Sequence, residues 1–188
     1  MTICIAFLRG INVGGKNKIK MTELKEMFEE IGLVGVETYI QSGNIIFESD
    51  EAEDKLQEKI ETGLQNKFGF PISVVLRTAA ELKMLINGCL FTRIEVNEAE
   101  ASNTEGESLY VSLLSEAPSQ EKLQVLSKYK SESDEYRIRN RDIYLLFRHS
   151  VRNSRLANNV QKLDQHATVR NWKTINKIQS LVDARLDS

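Results

Sequence analysis

Between Arg9 and Lys18 the chain places three basic side chains and three glycines directly after an apolar run, Ile3–Leu8. Glycine reaches positive φ without strain and leaves backbone N–H groups open to approach. Such groups, ringed by cations, form a cradle for phosphate or carboxylate. The chemistry expected here is anion binding, with Arg9, Lys16 and the N–H groups around Gly14 and Gly15 gripping the anion. Gly10–Lys16 also fits G-x-x-x-x-G-K, but Asn17 stands where a magnesium-holding Ser or Thr belongs. The helix that follows is expected to start near Lys20, too late for a nucleotide-hydrolase loop, so a generic anion cradle is the preferred reading.

Two further stretches carry polar groups that core packing does not require. Gln41, Ser42 and Asn44 fall in a turn between two short apolar runs, and Arg170 and Asn171 precede an amphipathic segment. With Asn12 they make a donor-rich set lacking a nucleophile or a carboxylate base, which suits holding an anion better than transforming it. Asn12, Gln41 and Asn44 would orient the ligand, and Arg170, read as lying beside the first turn of the last helix, would close a clamp. Arg148–Arg155 is a third donor-dense stretch; His149 within it is read as part of a solvated basic loop.

The elements that must position these groups follow from periodicity. The unbroken run Ile3–Leu8 reads as a strand buried on both faces. Leu24, Met27, Phe28 and Ile31 make one helical stripe, stopped at Gly32. Val36–Ile40 and Ile45–Phe47 form a hairpin, and Ser49 or Asp50 would cap a helix carrying Leu56, Ile60, Leu64 and Phe68. Ile72–Leu76 is a fourth strand. Strand, helix, strand, strand, helix, strand is the arrangement of a ferredoxin-like sandwich. From Leu109 the same order recurs, so the expected fold is α+β with two ferredoxin-like halves related by internal duplication, the second copy lacking a clear last strand. The halves are placed at 1–94 and 108–188, around an acidic linker or loop at 95–107.

At 188 residues, 41% hydrophobic and 28% charged, the composition is that of a globular protein. No apolar run approaches a membrane span, and the start of the chain has no signal-peptide pattern, so no membrane association is expected. Two cysteines suit a reducing cytoplasm, and two Cys and two His without ligand spacing supply no metal site. The residues name no cofactor and no oligomeric state. The net charge of -2 conceals +4 over residues 1–20, -13 over 21–136 and +7 over 137–188. Basic ends of this kind point to an anionic partner, a small molecule or a nucleic acid. The strands lack the aromatic pair of an RNA-recognition motif.

Leu8–Gly15, Thr38–Asn44 and Thr168–Thr174 together resemble the widespread bacterial family catalogued as domain of unknown function 1697. The resemblance spans essentially the whole chain but brings no activity with it. Where the family tends to carry a Tyr-Pro-x-Gly turn before Ser-Lys-Leu, this chain has Phe147–Ser150 and then Ser154–Leu156, without the Pro and Gly. The functional expectation is a cytoplasmic binder of a phosphate-bearing or other anionic ligand. The alternatives are a magnesium-dependent phosphoryl or nucleotidyl transferase, and an interaction module in which the same polar residues only brace turns.

Overall fold

In the computed structural model, which describes residues 1–188, the chain is mixed α+β, with two four-stranded antiparallel sheets and seven helices. β1 (Thr2–Leu8) runs through the middle of the first sheet, buried from Cys4 onward. α1 (Met21–Glu30) buries Leu24, Met27 and Phe28 and ends where Gly32 takes φ 89°. β2 (Val34–Tyr39) and β3 (Asn44–Ser49) form the hairpin, α2 (Glu53–Phe68) buries Leu56, Ile60 and Leu64, and β4 (Val74–Thr78) completes the sheet. The strand order is β2-β3-β1-β4. Cys4, Ala6 and Leu8 of β1 share a core with Phe28, Phe47, Ile60 and Leu64. In it the Phe28 and Phe47 rings meet edge to face at 5.6 Å, a geometry worth about 0.5–1.5 kcal/mol beyond the area buried. Ile5 and Phe7, on the opposite face of the same strand, are buried too.

The cap expected for α2 is not made by Ser49 or Asp50. Ala52 occupies the N-cap position without a side-chain bond, the Ser49 hydroxyl accepts from Glu51 N, and Asp50 accepts from Thr2 N at 3.0 Å.

α3 (Ala79–Asn87) opens on Thr78, whose hydroxyl accepts from Glu81 N while the Glu81 carboxylate accepts from Thr78 N at 2.8 Å. The stretch 95–107, expected as an acidic loop, is instead largely helical: α4 spans Arg93–Ser102. Its start is fixed by the reciprocal box Thr92–Glu95, and its one buried residue, Ala99, anchors a helix whose other faces are left to glutamates. The second sheet contains β5 (Leu109–Leu113), β6 (Asp134–Arg139), β7 (Asp142–Phe147) and β8 (Thr168–Asn171), in the order β6-β7-β5-β8. α5 (Gln120–Ser127) and α6 (Arg155–Val160) lie between these strands in sequence, and α7 (Trp172–Leu186) closes the chain. The last strand thought missing is therefore present, pairing Thr168–Asn171 with Leu113–Tyr110. Arg170 and Asn171 lie in that strand rather than in a helical turn.

Two compact units emerge, one of Met1–Lys83 with Lys177–Ser188, the other of Met84–Asn176. The first unit is thus discontinuous. Near the end of α7, Arg185 donates to the Gly35 carbonyl at 2.6 Å and to the Glu37 carboxylate at 2.7 Å. This grip falls on edge strand β2 where its register shifts between Val34 and Glu37 and Gly35 takes φ 61°. No helix is long and apolar enough to cross a membrane.

Candidate functional site

The loop after β1 is a small hairpin. Gly14 and Gly15 both have positive φ, 58° and 73°, the requirement of the two-residue turn that matches strand twist. The turn closes with Lys16 N donating to Val13 O at 3.0 Å, and one step further out Asn12 N donates to Asn17 O at 3.0 Å. The glycine conformations and the Lys16 N–H are therefore used inside the loop.

Asn12 is the hub. Its amide nitrogen donates to Gln41 O at 2.8 Å and Ile19 O at 3.1 Å, while its amide oxygen accepts from Ile19 N at 2.8 Å. One side chain thus joins the glycine loop, the lead-in to α1 and the β2–β3 turn. Asn12 can hold φ 53° because its short amide tolerates the left-handed region. Asn17 reinforces the loop by donating to Gly10 O at 3.1 Å. The β2–β3 turn presses close: a Cβ on Gly43 would come within 2.8 Å of Leu8 and 2.7 Å of Ile11, and Gly43 O accepts from Leu8 N at 2.9 Å. Asn44, fully buried, donates to Tyr39 O at 2.9 Å and to the Ser42 hydroxyl at 3.0 Å. Arg9 is half-buried, with its N–H on Ser73 O.

The structure thus gathers Arg9, Asn12, Gly14, Gly15, Lys16, Gln41, Ser42 and Asn44 at one end of the first sheet. Within that group Asn12 and Asn44 work on the backbone, while the side chains of Lys16 and Gln41 are exposed. Lys18 and Lys20 are exposed beside them, on either side of buried Ile19, and no ion pair involves Lys16, Lys18 or Lys20. Lys20 carries the same chemistry as its neighbours, and the alternation Lys18-Ile19-Lys20 was the signal that could have added it to the set.

Arg170 and Asn171 belong to the second unit. Arg170 is buried, donates to Val169 O at 3.0 Å, and desolvation lowers its pKa to about 10. Asn171 accepts from Thr174 N at 2.8 Å and so caps α7. Sequence reasoning overlooked a counterpart, Arg77 in β4, which is 2% exposed and donates to Leu76 O at 2.8 Å. It precedes the helix cap Thr78 as Arg170 precedes Asn171, and it lay hidden in an apolar strand. At the end of β5 a different arrangement holds: the Asp164 carboxylate accepts from Ser115 N at 2.9 Å, from the Ser115 hydroxyl at 2.5 Å and from His166 N at 2.8 Å. Those hydrogen bonds keep the Asp164 pKa below the usual range despite its desolvation.

The basic stretch after β7 is largely engaged. Arg148 bonds Glu135 at 3.0 Å, Arg155 stacks over Tyr129, and Ser154 caps α6 while donating to Asp134 at 2.6 Å. His149 is exposed between two shallow clefts that share Ser102. A third cleft, of about 190 Å³, lies at the far end of the first sheet beside Cys4, Asp50, Glu51 and Arg77. Burial first, then Glu81, Asp50 and Glu53, push the Cys4 thiol up to about 11, so it is a poor nucleophile.

A solved structure described as that of the conserved bacterial protein SP0830 from Streptococcus pneumoniae is similar to the chain at 25% identity. The match has a TM-score of 0.74 and covers 95% of this chain and 97% of that one. No curated protein shows significant similarity. The family described as "Protein of unknown function (DUF1697)" matches residues 1–144. That range holds both the braced glycine hairpin and the β2–β3 turn locked to it, and on it the chain belongs to the DUF1697 family.

Proposed function

We propose that the protein binds an anionic ligand through the Arg9–Lys18 loop and the adjoining Lys20, in the cytoplasm, where its free cysteines Cys4 and Cys89 would stay reduced. The observation that carries this reading is the exposed lysine trio, without carboxylate partners, standing on a hairpin braced by Asn12. Lys16, Lys18, Lys20 and Arg9 supply the charge, and Gln41 supplies a neutral donor beside them. Asn12, Ser42 and Asn44 hold the platform, and Arg170 and Asn171 are assigned to the framework of the second unit.

We further infer that the two units are duplicated ferredoxin-like sandwiches. Supporting this are their matching strand orders and the shared bond that closes each hairpin onto the central strand. Those bonds are Leu8 N to Gly43 O and Leu114 N to Arg141 O, both 2.9 Å. Arg77 and Arg170 add a residue-level echo, standing opposite Ile5 and Val111 of the two central strands.

A thermal-shift screen with inorganic phosphate, nucleotides and sugar phosphates, with and without magnesium, tests the binding reading. A compound at one hundred times its Kd stabilises by about 2.7 kcal/mol, and that shift is expected to vanish in Lys16→Ala and Arg9→Ala. A shift that needs magnesium would redirect the assignment to a phosphoryl or nucleotidyl transferase. A second reading, a framework or interaction module, draws on Asn12, Asn44 and Asn171 all serving backbone groups. It expects no anion to shift the folded protein.

A further inference from the structure

We infer that the anion is a polyanion: Lys16, Lys18 and Lys20 track the phosphodiester backbone of a single-stranded nucleic acid, without reading its bases. This rests on the binding reading above and narrows its ligand. A compact phosphate is best held in a concave ring of N–H donors. Here four of the donors around the loop are spent inside the chain. Leu8 N and Arg9 N go to Gly43 O and Ser73 O, Asn12 N to Asn17 O, and Lys16 N to Val13 O. Beside them the loop presents ammonium groups on flexible stems to solvent, point charges that neutralise phosphates without imposing the planar fork of arginine.

Their placement suits a linear ligand. Ile19 is 5% exposed and pins the segment to the core, so Lys18 and Lys20 project on the solvent side, Lys20 in extended backbone and Lys18 beyond the turn that Asn17 makes at φ 49°. Alternate residues of an extended chain stand about 6.6 Å apart, a pitch comparable with that of successive phosphates on one strand. The hairpin is convex, with Val13 65% exposed at its turn, so it meets an extended surface instead of enclosing a small molecule. The corresponding turn of the second unit cannot do the same. After β5 the chain runs Ser115-Glu116-Ala117-Pro118-Ser119-Gln120-Glu121 before its first lysine, Lys122, and Ser115 is tied to Asp164. The turn after β5 therefore offers no second copy of this surface.

The test is fluorescence anisotropy with a labelled single-stranded oligonucleotide of mixed sequence, titrated at several salt concentrations. Three phosphate contacts give a slope of log K against log salt of about -2, each contact contributing about -0.7. Lys16→Ala, Lys18→Ala and Lys20→Ala should each shallow the slope by about 0.7 and weaken different sequences equally. Lys55→Ala, an exposed lysine on α2, should change neither quantity. Circular dichroism confirms that each variant is folded. An unchanged slope in all three variants overturns the inference, as does binding to anionic lipid vesicles in place of the oligonucleotide. Failure to bind the oligonucleotide while inorganic phosphate or a nucleotide still gives a Lys16-dependent thermal shift overturns the polyanion and leaves the small-anion reading standing. Failure of both removes both.

Discussion

Glu95 shows how a single carboxylate can carry structural information. Arg137 grips it with two hydrogen bonds, 2.9 and 2.6 Å, while stacking on the Phe91 ring at 4.3 Å, and Thr92 N donates to it as well. Those bonds, Arg137 first, lower its pKa from 4.5 to about 2. A lowered carboxylate pKa stabilises the fold above the unfolded value, and that contribution fades as pH falls through the folded value. The stability difference between wild type and Glu95→Gln should therefore be full above pH 4.5, shrink below it and vanish near pH 2, as read by denaturant midpoints across that range. Ser112 makes the opposite case. It is fully buried, and its hydroxyl has no hydrogen-bond partner on a strand whose neighbours on the same face, Tyr110 and Leu114, join an apolar cluster. Leaving a buried hydroxyl unmatched costs on the order of 1–3 kcal/mol. Ser112→Ala is expected to stabilise by about 1 kcal/mol in urea unfolding, giving β5 the residue that Ala6 supplies at the corresponding place in β1.

At the scale of elements, the loop and turn at the end of the first sheet behave as one piece because Asn12 joins them. Asn12→Ala removes three hydrogen bonds and puts alanine at φ 53°, at about 1 kcal/mol net per bond plus about 1–2 kcal/mol for the left-handed backbone. Amide exchange at Ile19 should accelerate by more than tenfold while the amides of α2 keep their protection. Much of the layout was legible in the sequence where side-chain periodicity was strong: β1 in its unbroken apolar run, α1 and α2 in their stripes, β2 and β3 as a hairpin. β8 was not, because Thr168-Val169-Arg170-Asn171 offers a single apolar side chain and buries an arginine. α4 was missed because its glutamates resemble a solvated linker, although Thr92 and Glu95, three apart, spelled a helix start. For polar candidates such as Asn12 and Asn44 the sequence left two roles open, orienting a ligand or bracing a turn. A side-chain amide both donates and accepts, so the same residue type can orient a ligand or brace a turn, and only the neighbouring carbonyls decide which.

For the whole molecule, the proposed duplication makes a quantitative demand. Arg77 and Arg170 are both buried and both donate to the carbonyl of the residue before them. Arg77→Ala and Arg170→Ala should each destabilise by about 2–5 kcal/mol, through the emptied volume and the deserted acceptors. Similar losses in calorimetry would fit a common plan; a large loss at one and none at the other would not. The discontinuous first unit has its own consequence. An unprotected sheet edge invites pairing with other chains, and here β2 is held by Arg185, which lies 150 residues beyond Gly35. Translation adds about 5–20 residues per second, so β2 is synthesised about 8–30 s before the residue that clasps it. From the completion of β4 at Thr78 until Arg185 is added, the nascent first unit has every strand of its sheet and no guard on its outer edge, which makes the growing chain, more than the finished protein, the form open to edge pairing.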